Sequence, residues 1–71
     1  MKIYNFTEPE LDIFRQRCNF DDDELQCFEL KAKHKSIIQI SQIMNISEPQ
    51  VSKLARRVKD KIKRVVHLVT I

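Results

Sequence analysis

Four segments of the chain, FTEPEL (6–11), FDDDEL (20–25), KSIIQI (35–40) and ISEPQV (46–51), repeat one local pattern: a Thr, Asp or Ser followed three residues later by Glu or Gln. This is the reciprocal capping box. The first side chain accepts from a free amide of the opening turn, and the second reaches back to the amide of the first. Three of the four also carry an apolar pair around the cap, Phe6/Leu11, Phe20/Leu25 and Ile46/Val51, at the spacing of a hydrophobic staple. Four such starts in 71 residues predict an all-α, four-helix compact domain spanning 1–71, with helices over about 8–18, 22–33, 37–44 and from Ser47 to about 66. The chain has no glycine. The turns must therefore use another residue that tolerates positive φ, and Asn19, His34 and Asn45 stand at the three junctions. His34, between Lys33 and Lys35 with no metal-binding companion, reads as a helix end and not as a ligand.

Helical spacing names the inward residues: Leu11, Phe14 and Cys18 on the first helix; Leu25, Phe28 and Ala32, flanked by Cys27 and Leu30, on the second; Ile37, Ile40, Ile43 and Met44 on the third; Val51, Leu54, Ala55, Val58, Ile62 and Val65 on the fourth. Cys18 and Cys27 lack a second pair or a histidine couple, so they read as buried, reduced thiols and not as a disulfide framework or a zinc site. A core this small leaves little room for a buried active site. No histidine pair, no nucleophile with its base and no glycine-rich phosphate loop is present, so no enzyme activity, cofactor, metal or small-molecule substrate is expected. Neither a signal peptide nor a membrane-spanning run is legible, which points to a cytoplasmic protein.

Charge is split along the chain. Residues 1–30 hold three basic and eight acidic side chains, net −5; residues 31–71 hold ten basic and two acidic, net +8. A basic half of that density is the footprint of a polyanion partner. Within it, SIIQISQIMNISEPQVSKLARRVKDKIKRV (36–65) pairs a short helix, a three-residue turn centred on Asn45 and a long capped helix. That is helix-turn-helix spacing, over about 36–58, with the long C-terminal helix as recognition helix. On a wheel of 100° per residue the apolar stripe of the last helix opposes Pro49, Ser52, Lys53, Arg56, Arg57, Lys63 and Arg64. The partner expected is duplex DNA, read in the major groove where each base pair is distinct. Lys53, Arg56 and Arg57 suit guanine edges or phosphates, and Ser52 is short enough for close approach. Glu48 and Gln50 suit cytosine and adenine, with Gln50 chiefly a cap partner of Ser47. Lys35 and the amides from Ser36 suit a phosphate, and Lys63 extends the basic face.

The segment DELQCFELKAKHKSIIQISQIMNISEPQVSKLARRVKDKI (23–62) resembles the helix-turn-helix of LuxR/GerE-type regulators and the promoter-reading C-terminal region of bacterial sigma factors. The features that carry the likeness are the acidic lead-in from Glu24 to Leu30, the basic turn before Ser36, ISQIMNISE (40–48) and VSK (51–53). The resemblance implies a small transcription regulator of bacterial or phage type. It puts Glu48, Pro49, Ser52, Lys53 and Arg56 toward the groove, and Lys35 and Ser36 at the DNA backbone. Asn45 stands where such families carry a glycine, and Ser41 where they carry alanine. The chain is expected to be neither a complete sigma factor nor a complete two-domain regulator. A homodimer is expected because one small module rarely buries enough DNA for high specificity. RVVHLVTI (64–71) is its candidate surface, as an extension of the last helix, a strand-like tail or a fold-back over the core. A different reading makes the acidic first two helices, with DDDE (21–24), a contact for RNA polymerase or another regulator.

Overall fold

A computed structural model of the protein describes residues 6–69, and the side chains of residues 6–66. It contains four helices and, among the described residues, no strand: α1 Glu8–Arg17, α2 Asp22–Ala32, α3 Ile37–Met44 and α4 Glu48–Val69. Every helix begins at its capping box. The Thr7 amide donates to Glu10 Oε1 at 2.8 Å, the Asp21 amide to Glu24 Oε1 at 3.1 Å, the Ser36 amide to Gln39 Oε1 at 2.9 Å and the Ser47 amide to Gln50 Oε1 at 3.4 Å. The acceptor role draws the Glu10 carboxyl below its ordinary value, mainly through the Thr7 amide.

The helix ends are equally local. Asn19, His34 and Asn45 have φ of 52°, 65° and 57°. After α2 the Lys35 amide donates to Leu30 O and the His34 amide to Lys31 O, both at 3.1 Å. These are the two bonds of a Schellman closure with His34 in the left-handed position. After α3 the Ile46 amide returns to Ser41 O at 3.1 Å. Cys18 and Lys33 close α1 and α2, which therefore end one residue earlier than the spacing predicted. The α3–α4 turn is Asn45–Ile46–Ser47, with Asn45 first and not central, because the left-handed residue must directly follow the last helical one.

The long α4 is the spine against which α1, α2 and α3 all pack. Leu11, Phe14 and Cys18 from the first segment, Phe28 from α2, and Val58, Ile62 and Val65 from α4 form one buried cluster, edged by Phe6, Phe20, Ala32 and Val66. Each large apolar side chain so buried contributes about 1.5–3 kcal/mol. The four phenylalanines form a chain through it: Phe6 to Phe14 at 4.8 Å, Phe14 to Phe28 at 6.5 Å and Phe28 to Phe20 at 5.0 Å between ring centres. Cys27, Ile40 and Val51 are fully buried as well. Both cysteines are free, and burial pushes both thiols up, Cys18 to about 11.

Several inward expectations fail. Leu25 is 38% exposed, because α2 turns Glu24, Cys27 and Phe28 inward and leaves Leu25 at the rim; Phe20 rests on Phe28. Ile37 and Ile43 are exposed and Met44 only half-buried; an eight-residue helix covered from one side buries only its central Ile40. Leu30, Ala32 and Leu54 are half-buried. The segment from Arg64 continues α4 as helix through Val69, with Val65 in the core; residues 70–71, and the side chains from His67 onward, lie outside the described residues. Among the described residues no helix is long and apolar enough to cross a membrane.

Candidate nucleic-acid interface

The site expected from sequence is the solvent face of α4, and its orientation follows from the stripe beneath it. Val51, Ala55, Val58, Ile62 and Val65 are buried. The helical period then turns Glu48, Pro49, Gln50, Ser52, Lys53, Arg56, Arg57, Lys63 and Arg64 outward, and all nine are exposed. Ser36 and Ser47 are exposed at their caps, while Lys35 is half-buried.

The face divides into two flanks, because successive residues lie 100° apart. Ser52, Arg56 and Lys63 share a shallow cleft of about 260 Å³ with Lys31 of α2 and Ile37 of α3; Lys59 and Asp60 complete it. Gln50, Lys53 and Arg57 lie on the other side, in a cleft of about 250 Å³ bounded by Asp23, Ile46 and Leu54. Farther along that second flank Arg57 and Arg64 line a depression with Glu24, Asp60 and Lys61. Arg56 and Arg57 therefore face different surroundings. Lys35 and Ser36 stand apart from these clefts, although Ile37, next to Ser36, lines the first. Open clefts of this size fall short of the enclosed volumes of small-molecule sites and suit docking against a surface.

Two cations, Arg15 on α1 and Lys61 on the α2-facing side of α4, are paired. Arg15 donates to Glu29 at 2.8 Å, also bonds Asp12, and lies 5.9 Å from the Phe28 ring centre; the Glu29 bond raises its already high pKa. Lys61 bonds the buried Glu24 carboxylate and donates to Asn19 O at 3.1 Å. By contrast, among the described residues none of Lys53, Arg56, Arg57 or Lys63 makes an ion pair. A guanidinium left open on an exposed face has its full fork of donors available for a planar acceptor or a phosphate.

The cap beneath this face is the loosest of the four. Both Ser47/Gln50 bonds measure 3.4 Å, whereas each other box has a bond of 2.9 Å or shorter. Gln50 is thus a cap partner, as expected, but a weakly held one. Sequence reasoning missed Lys59 and Lys31. Lys59 was legible: Ser52, Arg56, Lys59 and Lys63 run at i, i+4, i+7 and i+11 along one helix side. Lys31 comes from another helix and carries no local signal. Comparison of the chain with protein-family models, with curated proteins and with solved structures finds no match.

Proposed function

We propose that the protein is a sequence-specific duplex-DNA-binding regulator of transcription, in which α3, the Asn45–Ser47 turn and α4 act as a helix-turn-helix and the first turns of α4 enter the major groove. The observation that carries this reading is the set of exposed cations gathered on the solvent face of α4, Lys53, Arg56, Arg57 and Lys63, that make no ion pair among the described residues, while Lys61 on the same helix is bound by Glu24 of α2. A helix face that gathers several cations with no acid bound to them suits a partner carrying negative charge. Ser52, one turn before Arg56, keeps the approach short, and the neutral Ser47/Gln50 cap adds no anionic side chain to the helix start. Glu48 is the one acid there, and its use is to accept from a cytosine amine.

The test is selection of bound duplexes from a randomised pool near physiological salt, followed by fluorescence anisotropy on the enriched sequence. Arg56→Ala and Arg57→Ala are each expected to weaken binding about tenfold or more, the scale of a lost base or close phosphate contact, while Arg17→Ala on α1 leaves it within twofold. An inverted repeat with half-sites about one helical turn apart marks a two-fold dimer, and a single asymmetric site a monomeric reader. No enrichment from the pool overturns the DNA reading and transfers the assignment to the acidic start of α2 as a protein contact.

A further inference from the structure

With Lys31 of α2 counted, the two flanks of α4 present the same number of cations and differ in the acids set against them. On the first, Lys31, Arg56, Lys59 and Lys63 face Asp60 alone. On the second, Lys53, Arg57, Lys61 and Arg64 face Asp23, Glu24 and Asp60. The first flank is net +3 and the second net +1, and on the second Lys61 is already engaged by Glu24 and the Asn19 carbonyl. The acids of the second flank come from the start of α2, where Asp21 caps the helix and Asp22, Asp23 and Glu24 occupy its first turn. A phosphate strand laid along the second flank would meet that acidic turn; along the first it meets only cations and Asp60.

Geometry favours the same side. From Ser52 to Lys63 the row on the first flank extends about 16 Å along the helix axis, and Lys31 widens it from a second element. Duplex DNA presents one charge per strand every 3.4 Å of its axis, so a row of this length meets several phosphates of one strand. The whole of α4 is about 33 Å long, more than the ~12 Å width of a major groove, so a helix entering by its first turns carries its later turns across the groove wall.

We infer that one sugar-phosphate strand runs through the cleft between the end of α2 and α4, held by Lys31, Lys59 and Lys63, and that the acidic first turn of α2 excludes the backbone from the opposite flank, fixing which way the protein faces on the duplex. The assignment rests on the DNA reading above and adds two residues, Lys31 and Lys59, and an orientation to it. These contacts are to phosphate and set affinity without sequence preference.

The experiment measures Kd against salt for the wild type and the variants Lys31→Gln, Lys59→Gln, Lys63→Gln, Arg57→Gln, Arg64→Gln and Asp23→Asn, each on the selected duplex and on a random duplex of equal length. Lys31→Gln, Lys59→Gln and Lys63→Gln are each expected to reduce the slope of log K against log salt by about 0.9 and to weaken both duplexes alike. Lys31→Arg is expected to restore the slope, which a merely structural role would not require. Arg64→Gln and Asp23→Asn are expected to leave the slope unchanged. Unchanged slopes in Lys31→Gln and Lys59→Gln, with a reduced slope in Arg64→Gln and tighter binding in Asp23→Asn, overturn the orientation while the DNA reading stands. The loss expected in Arg57→Gln belongs to the DNA reading itself. Absence of duplex binding by the wild type overturns both.

Discussion

Glu24 is 3% exposed and works in two directions at once. It accepts the Asp21 amide at 3.1 Å as the partner in the α2 cap, and it binds the ammonium of Lys61, thirty-seven residues away on α4. Lys61 also lies 6.0 Å from the Phe20 ring centre and bonds the Asn19 carbonyl, so one side chain ties the α1–α2 junction, the α2 cap and α4 together. A carboxylate this buried is tolerated because its Oε1 takes both the Asp21 amide and the Lys61 ammonium; removing one member of an enclosed pair costs ~3–5 kcal/mol. Lys61 is 29% exposed and its share is screened, so Lys61→Met is expected to cost about 2 kcal/mol in urea denaturation. Arg15→Ala breaks more ion pairs, but Glu8 and Asp12 are well exposed and Glu29 partly so, and it is expected to cost about 1 kcal/mol or less. A larger loss for Arg15→Ala than for Lys61→Met sinks this ranking.

Among the elements, the joints decide the fold's precision. Asn45 sits at φ 57° and ψ 46°, and two residues on the Ser47 amide donates to Gln50 at the start of α4. Asn45→Gly is expected to leave stability unchanged or slightly raised, and Asn45→Val to cost about 1–2 kcal/mol, the price of a β-branched side chain in the left-handed region, measured by thermal melting. Boxes and joints were legible because every partner lies within five residues: Ser36 finds Gln39, and Ile46 finds Ser41, without reference to the rest of the chain. The face of α4 was legible for a similar reason, since the stripe from Val51 to Val65 orients everything opposite it. What failed needed knowledge of neighbours. The spacing of α3 marks Ile37 and Ile43 as apolar, but only the number of helices covering α3 decides that Ile40 is buried while Ile43 is 51% exposed. Glu24 read as a cap and as part of an exposed acidic run, and its burial against Lys61 was hidden because Lys61 lies in another helix. The unequal flanks of α4 were hidden likewise, since Lys31 and Asp23 reach it only through folding.

At the scale of the molecule, the same helix that offers the basic face also holds the core together, and the two duties overlap along its length. Val58, Ile62 and Val65 join Leu11, Phe14, Cys18 and Phe28 in the main cluster, so α1 is held chiefly by the later half of α4. The earlier half, with Val51 and Ala55 buried, serves the side nearer α3. An α4 that ended at Asp60 would keep Ser52 to Arg57 and lose Lys61, Ile62 and Val65. Those losses amount to two apolar side chains at about 1.5–3 kcal/mol each and the Glu24 pair, against the ~4–11 kcal/mol total typical of a domain this size. A chain stopped after residue 60 is therefore expected to show no cooperative thermal transition by circular dichroism, whereas one stopped after residue 69 melts like the full chain. Ile62→Ala, losing about 2–4 kcal/mol, is the milder form of the same test and keeps every cation in place. A cooperative melt from the shorter chain would mean that the α1 side of the core stands without the later half of α4. Lys63 and Arg64 would then sit on a segment kept for its outer surface alone.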